Sequence, residues 1–535
     1  MSKIANYLKD HIRGEVVSSD HGRAGHASDN AIINSQPMLI VHPFDINDIR
    51  KTLHFTWQLA QKGYTLPVVV RGGGTNATGA TITNGIVVDC TTHLTQILEL
   101  DTKQKLIRVQ PGLRLDVLQQ TLRTHGLEWP VGSVSKNATV GGVIAGQIIG
   151  KRNTALADWV DQIELVLASG EVVQIGRMSK RDLNKKRGST DSEGEIYRQI
   201  DTLLSDEEVY ESTDSSGGQF NLSQVRATKN SFDLVSLITG SQGALGVISE
   251  VILKLDTLYS DTEVLFVGLT SLDQYDKLVK DTLKLEPDSL QYVPASVLEY
   301  VKDQHNVVLH ELIDKDEFAS TIGCLFIVFR GPKSKHKAKK AAKWFDKAGQ
   351  RVVKSDGDYD AAREIMQVQH AIEYTVLALE KDHKVATPLI DDAAIDGTKA
   401  VDLADGIEEI AKKHRVTILW WADVLSNVMT AYPLLNLKNL TDRQKVSKLV
   451  EEYYAYIVSQ GGQVAGRYNV GVVKKLLLPD LYTEAELNSA QMIKNIFDEY
   501  NILNPEFTSG KKRDITKLID ESYTPAISLS TIDSI

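Results

Sequence analysis

A chain of 535 residues is too long for one hydrophobic core, and 42% hydrophobic with 24% charged residues is the composition of an ordinary globular protein built from two or more packed units. A formal net charge of −10 supplies no basic field for neutralising phosphates, which speaks against nucleic-acid binding. Two cysteines, Cys90 and Cys324, are too few for an iron–sulfur cluster or a cysteine zinc site, so any redox centre is organic.

The opening Met1-Ser2-Lys3-Ile4-Ala5-Asn6 leads into a mixed segment with no apolar h-region, which argues against a secretory signal. No stretch approaches the ~20 apolar residues of a spanning helix, so the expectation is a cytoplasmic protein, at most peripheral to a membrane, with no transmembrane segment. From Pro37 to Leu255 apolar runs alternate with glycine-rich turns and helical segments. Strands are predicted at Met38–Val41, Pro67–Arg71, Gly85–Asp89, Leu106–Val109, Val160–Leu167 and Val247–Leu255, and helices at Ile46–Lys62 and Leu115–His125. The stretch Met178–Lys229, which holds the basic run Lys180 to Arg187 and Ser215-Ser216-Gly217-Gly218, reads as a polar surface excursion.

Beyond Leu255 the pattern becomes a second α/β unit, with strands Glu263–Leu269 and Thr321–Phe329 and a helix Lys335–Lys347 that Ser334 is placed to cap. Helices follow at Asp442–Ser459 and Glu484–Tyr500, and the residues past Pro505 are polar enough to suggest partial disorder. The fold class expected is α+β. The segments are 1–34, a first domain over 35–255, a second over 256–480, a returning helical segment over 481–507 and a polar tail over 508–535.

The sharpest local signal is Pro67-Val68-Val69-Val70-Arg71-Gly72-Gly73-Gly74-Thr75-Asn76-Ala77-Thr78-Gly79, a strand that runs straight into glycines and small polar residues. Glycines let backbone N–H groups converge on an anion with no Cβ in the way, which suits a pyrophosphate. The run lacks the Gly-Lys-Ser/Thr ending of a P-loop and departs from Gly-x-Gly-x-x-Gly. Alone it reads equally as a tight turn. Two further stretches accompany it: Pro130-Val131-Gly132-Ser133 with Ala138-Thr139-Val140-Gly141-Gly142-Val143-Ile144-Ala145-Gly146, and Thr239-Gly240-Ser241-Gln242-Gly243-Ala244-Leu245-Gly246-Val247-Ile248.

In this order and spacing the three stretches resemble the PCMH-type FAD-binding domain of the vanillyl-alcohol oxidase and p-cresol methylhydroxylase superfamily, and within it the D-lactate dehydrogenase and glycolate oxidase family. The resemblance runs through Ser28-Asp29, Asp158, the strand Ile163–Leu167 before Ser169-Gly170-Glu171, and Phe497-Asp498 with Ile502-Leu503-Asn504-Pro505. It implies a two-subdomain FAD-binding domain plus an α/β cap, or substrate, domain. Carried over by position, it implies that Arg71, Gly72, Gly73, Gly74, Thr75, Asn76, Gly79 and Ala80 line the pyrophosphate. Pro130, Gly132, Ser133, Thr139, Gly142 and Ala145 would follow the ribityl chain and ring, with Gly246, Val247 and Ile248 at the adenine side. The histidine that often tethers flavin in this superfamily is Thr75 here, which points to non-covalent FAD.

The metal and substrate motifs implied by the resemblance are altered. The two metal-binding histidines fall on Asp423 and Thr430 of the stretch from Trp421 to Pro433, and Gly-Glu-His-Gly becomes Gly466-Arg467-Tyr468-Asn469. The family's carboxylate-binding arginine falls on Gln369, with Arg363 or His370 in its place if the alignment slips; the acidic pair Asp391-Asp392 persists. No metal is expected. Arg467 would then offer a fork to a substrate anion, with Tyr468 and Asp423 as hydrogen-bonding or proton-transfer groups. The competing reading is an FAD-binding flavoprotein subunit that has lost hydroxy-acid turnover. Trp420 and Trp421 read as core packing. An active enzyme would pass a hydride from a small-molecule CH–OH substrate to flavin N5, with a quinone, an electron-transfer protein or oxygen as the onward acceptor. The sequence leaves the oligomeric state open.

Overall fold

A computed structural model describes residues 2–132, 135–213, 219–220, 222–226, 231–302, 321–378, 380–478, 481–509 and 515–525. Ser133 and the run from Ser215 to Gly218 lie outside the described residues. The chain forms two compact units. The first comprises residues 1–150, 154–257 and 468–520, and the second residues 258–467 with the short pieces 151–153 and 521–525.

The first unit holds two principal sheets. In the smaller, Leu39–His42, Ile86–Asp89 and Val68–Arg71 run parallel, and Glu15–Val17 is added antiparallel at the edge. These strands are continuous Val/Ile/Leu runs, as parallel strands buried on both faces require. The crossover helix Ile46–Gln61 is opened by Asp45, whose carboxylate accepts from the Asn47 and Asp48 N–H groups. Asp48 is itself fully buried, and its carboxylate is satisfied by the main-chain N–H groups of Arg13, Gly14 and Phe44.

The larger sheet is antiparallel, in the order Ser231–Asp233, Val172–Ser179, Val160–Val166, Val247–Lys254, Leu106–Val109, Ile97–Asp101. The stretch expected to be a surface excursion is instead three helices, Lys180–Arg187, Ser192–Leu203 and Glu207–Thr213. Ile196, Tyr197, Ile200 and Leu203 form a helical stripe that enters the main core of this unit. The tail also returns. Phe507, Ile515 and Ile519 are buried, and Ile519 bridges Ile33.

The second unit is built on one large sheet whose long strands are Thr262–Leu269, Gly323–Arg330, Ser289–Pro294, Ile418–Asp423 and Val428–Leu435, all paired antiparallel. The helix Tyr359–Ala378 covers one face through Ile365, Val368, Ile372 and Val376. Trp421 packs in that core against Tyr432, and Trp420 lies against Tyr292. Ser334 does not cap its helix. The helix Ser334–Lys347 begins one residue earlier than expected, Lys333 holds the capping position without a side-chain bond, and Ser334 is buried in the first turn that follows Gly331.

Candidate cofactor site

A cavity in the first unit, open to solvent on one side, encloses about 940 Å³ with its mouth included. The glycine-rich stretches form its walls. Arg71, Gly72, Gly73, Gly74, Thr75, Asn76 and Ala80 come from the first, Thr139, Gly142 and Ala145 from the second, and Gly246 and Ile248 from the third. Gly79, Pro130, Gly132 and Val247 do not line it. Gly79 takes φ +75° and faces Ile33 and Val473, whereas Val247 is buried in the core around the smaller sheet.

The first two walls approach each other closely. A Cβ on Gly72 would collide with Thr139 Oγ1, and one on Gly73 would collide with the Asn137 carbonyl oxygen. Thr139 opens the helix Val140–Gly146 and accepts from the Gly142 N–H at 3.2 Å. The third stretch is hydrogen-bonded to the end of that helix: Gly240 N–H to Ile144 O at 2.9 Å, and Gln242 N–H to Ala145 O at 2.7 Å.

Several lining groups were not singled out from the sequence. Gln147 and Gln242 are buried in the wall, and the side-chain oxygen of each has no hydrogen-bond partner among the described residues. A buried acceptor left without a donor is destabilising by about 1–3 kcal/mol, so two of them in one cavity wall fit a ligand that brings N–H or O–H groups. Asp29 accepts from the Ala31 N–H at 2.7 Å and from Thr81 Oγ1 at 3.0 Å. Burial pushes its carboxyl up to about 6, with those bonds and Arg71 pulling the other way. Arg71 donates to the Ser28 carbonyl at 2.7 Å. Cys90 also lines the cavity, its thiol pushed up to about 12 by burial, so it stays protonated and unreactive at neutral pH. The signal for Gln147 and Gln242 was their place directly after or within a glycine stretch. Asp29 was visible only through the Ser28-Asp29 pair.

Of the candidate catalytic residues, Tyr468 lines this cavity, and its backbone bridges Gln147. Arg467 and Asp423 belong to the second unit, where the guanidinium Nη2 stands 3.5 Å from Asp423 Oδ2. Asp423 also accepts from the Ser426 N–H and hydroxyl, at 3.2 and 2.9 Å. Strand register pairs Trp421 with Thr430, so Asp423 and Thr430 project from the same sheet face. Glu373, on the covering helix, has its carboxyl pushed up by burial and drawn down by Arg467. Gln369 donates to Ser289 Oγ at 3.4 Å, Arg363 and His370 are exposed, and Asp392 accepts from the Gly466 N–H at 3.1 Å. Among the described residues no group of three or more His, Cys, Asp or Glu is gathered in a way that could hold a metal ion. No helix among them is long and apolar enough to cross a membrane.

Comparison with known proteins agrees with this architecture. A family model described as an FAD binding domain matches residues 37–176, and one described as the C-terminal domain of FAD linked oxidases matches residues 259–507. The chain is 24% identical over 537 aligned positions to D-2-hydroxyglutarate dehydrogenase of Haemophilus influenzae, covering 94% of this chain and 51% of that protein. The chain thus spans about half the length of the D-2-hydroxyglutarate dehydrogenases it matches. It is 23% identical to glycolate oxidase subunit GlcD of Bacillus subtilis, over 88% of each. The fold is shared with p-cresol methylhydroxylase at a TM-score of 0.66, with 13% identity over 96% of this chain and 98% of that one. Two domain models in the same order, together spanning more than two thirds of the sequence, establish that the chain belongs to the FAD-linked oxidases, with an FAD binding domain followed by their C-terminal domain.

Proposed function

We propose that the chain is an FAD-dependent dehydrogenase that oxidises the CH–OH group of a small 2-hydroxy acid of the D-lactate or D-2-hydroxyglutarate kind at a metal-free substrate site. The observation that carries the cofactor assignment is the cavity itself: glycine-rich walls in which Gly72 and Gly73 leave no room for a Cβ, and two buried amide oxygens that lack a donor. Arg71 through Asn76 with Ala80, Thr139, Gly142 and Ala145, and Gly246 with Ile248 hold FAD in this reading. The FAD domain is 35–257 with 468–507 returning to it, and 258–467 is the substrate domain, so the sequence-based boundary at 480 moves back to 467. Bound FAD supplies the two-electron acceptor.

The chain's own groups bind and orient. Arg467 presents a planar cation to the substrate carboxylate, with the Asp423 carboxylate 3.5 Å from its Nη2. Tyr468 offers a phenol that donates to, or exchanges a proton with, the substrate oxygen. By the resemblance drawn from the sequence, Asp423, Thr430, Arg467 and Tyr468 fall on the positions of the family's metal-site histidines and glutamate, which supports a site that works without a metal. FAD is held non-covalently: Thr75 is no tether, and the Cys90 thiol is kept protonated. Electrons leave to a quinone, an electron-transfer protein or oxygen.

A second reading, a flavoprotein subunit that binds FAD without hydroxy-acid turnover, is favoured by the pairing of Arg467 with Asp423, which partly neutralises the proposed anion clamp. Anaerobic titration of the purified protein with D-lactate, D-2-hydroxyglutarate and glycolate separates the two. Bleaching of the flavin by one of them, unaffected by exhaustive chelation, supports the dehydrogenase; a flavin that none of them reduces supports the subunit.

A further inference from the structure

Lys494 sits on the helix Glu484–Phe497 with no exposed surface, far in sequence from the glycine-rich walls. Its ammonium group makes three bonds: to Ala244 O at 2.8 Å, to Leu503 O at 2.6 Å and to Asp498 Oδ2 at 2.9 Å. All three N–H donors are therefore used. Asp498 is buried too, and its carboxylate accepts from the Ile502 and Leu503 N–H groups at 3.0 and 2.7 Å.

Each end of this node leads to a wall of the cavity. Ala244 lies inside the third glycine stretch, between Gln242 and Gly246, and the Asn504 side chain donates to Gln242 O at 2.8 Å from the same C-terminal segment. Leu503 is the parallel partner of Val68, with Val68 N–H bonded to Ile502 O at 2.9 Å and Asn504 N–H to Val68 O at 2.8 Å. Val68 begins the strand that runs directly into Gly72, Gly73 and Gly74. The second stretch is joined through the bonds from Gly240 and Gln242 to Ile144 and Ala145.

A buried ion pair is a poor device for stability alone, because well-packed apolar side chains of the same volume often serve as well. An apolar side chain could not, however, donate to two carbonyls on separate segments. Resting on the reading of the cavity as the FAD site, we propose that Lys494 is a positioning residue for cofactor binding, clipping the Gln242–Gly246 turn and the Val68–Arg71 strand to one C-terminal segment so that the glycine walls keep the separation FAD needs.

The test uses the full chain. Lys494→Met removes the three donors at near-constant volume, Asn504→Ala removes only the side-chain link to Gln242, and Leu8→Ala makes a cavity under the N-terminal helix Ser2–His11, by the edge strand Glu15–Val17 at the opposite end of the smaller sheet from Val68–Arg71, as a control for lost stability. The expected result is a rise in the FAD Kd of roughly tenfold or more for Lys494→Met and several-fold for Asn504→Ala, with an altered flavin absorption band. Leu8→Ala should lower the melting temperature and leave the Kd and spectrum unchanged. Equal Kd and spectrum in Lys494→Met, Asn504→Ala and the parent would overturn the proposal, as would a Kd change that Leu8→Ala reproduces. If Lys494→Met does not fold, Asn504→Ala decides by the same criterion. A parent chain that takes up no FAD overturns the cofactor reading and this proposal together, whereas a parent that binds FAD beside variants that bind it equally well overturns this proposal alone.

Discussion

Arg467 Nη2 stands 3.5 Å from Asp423 Oδ2 on the second unit's sheet, with the Glu373 carboxyl near enough to feel the guanidinium charge. A planar guanidinium matches a planar carboxylate ligand in shape as well as in charge. Arg467→Met is expected to lower kcat/KM for the best hydroxy acid by about 10²-fold, the scale of a lost charge-assisted contact of ~2–3 kcal/mol. Arg467→Lys should recover only part of it. Steady-state kinetics on both variants checks this, and an Arg467→Met enzyme with parental turnover removes the anion clamp.

Gly73 and Gly142 separate steric from chemical effects in the cavity wall. A Cβ at Gly73 meets a backbone carbonyl, that of Asn137, which cannot swing away, whereas one at Gly142 meets only the Thr139 hydroxyl, at 3.0 Å. Overpacking of this kind costs about 1–3 kcal/mol. Gly73→Ala should therefore weaken FAD binding by roughly tenfold to a hundredfold, and Gly142→Ala should weaken it less. Flavin content after purification and FAD titration of the apoprotein give the comparison directly.

Asp29 gives the cavity a pH dependence. Its carboxyl is raised to about 6 by burial, and a pyrophosphate brought into the same cavity disfavours the carboxylate further. Binding then takes up protons between about pH 6 and the higher pKa of the complex, so FAD affinity rises as pH falls through that window and levels off below about 6. Asp29→Asn should flatten the profile. A slope that survives in the Asn variant assigns it to another group.

Lys475 links stability to pH with a definite sign. It donates to the carbonyls of Glu506 and Phe507 at 2.9 and 2.5 Å, and burial lowers its pKa from 10.5 to about 7. Between those two values the unfolded chain binds the additional proton, so stability rises as pH increases from about 7 towards 10 and is lowest once the buried amine is charged. Melting temperatures measured from about pH 7 to 9 should climb in the parent and climb less in Lys475→Met, which carries no titratable group. Parallel profiles would mean that the amine is solvated in solution.

The parts of the fold that were legible in the sequence are those whose local pattern has one physical solution. Continuous Val/Ile runs such as Val68-Val69-Val70 are buried strands, and glycines directly after them mark close backbone approach. The helices of 180–213 were hidden because a stripe of apolar residues, Ile196, Tyr197, Ile200 and Leu203, is diluted in a charged stretch. Phe507, Ile515 and Ile519 were hidden because isolated apolar residues in a polar tail carry no period. Fully buried Asp48 and Lys494 contradict the compositional rule that charge is exposed, and only the tertiary fold supplies the backbone groups that satisfy them. In the candidate site, the glycine walls were read from composition and order. Gln147 and Gln242 were not, because an unpaired side-chain oxygen is a property of packing.

The most direct measurement is the flavin content and FAD affinity of the purified full chain, with the flavin assayed before and after denaturation. We predict a yellow protein that binds one FAD per chain and releases it intact when the chain unfolds. Colourless protein whose cavity takes up no added FAD would contradict the assignment, and flavin that stays attached to the denatured chain would contradict its non-covalent form.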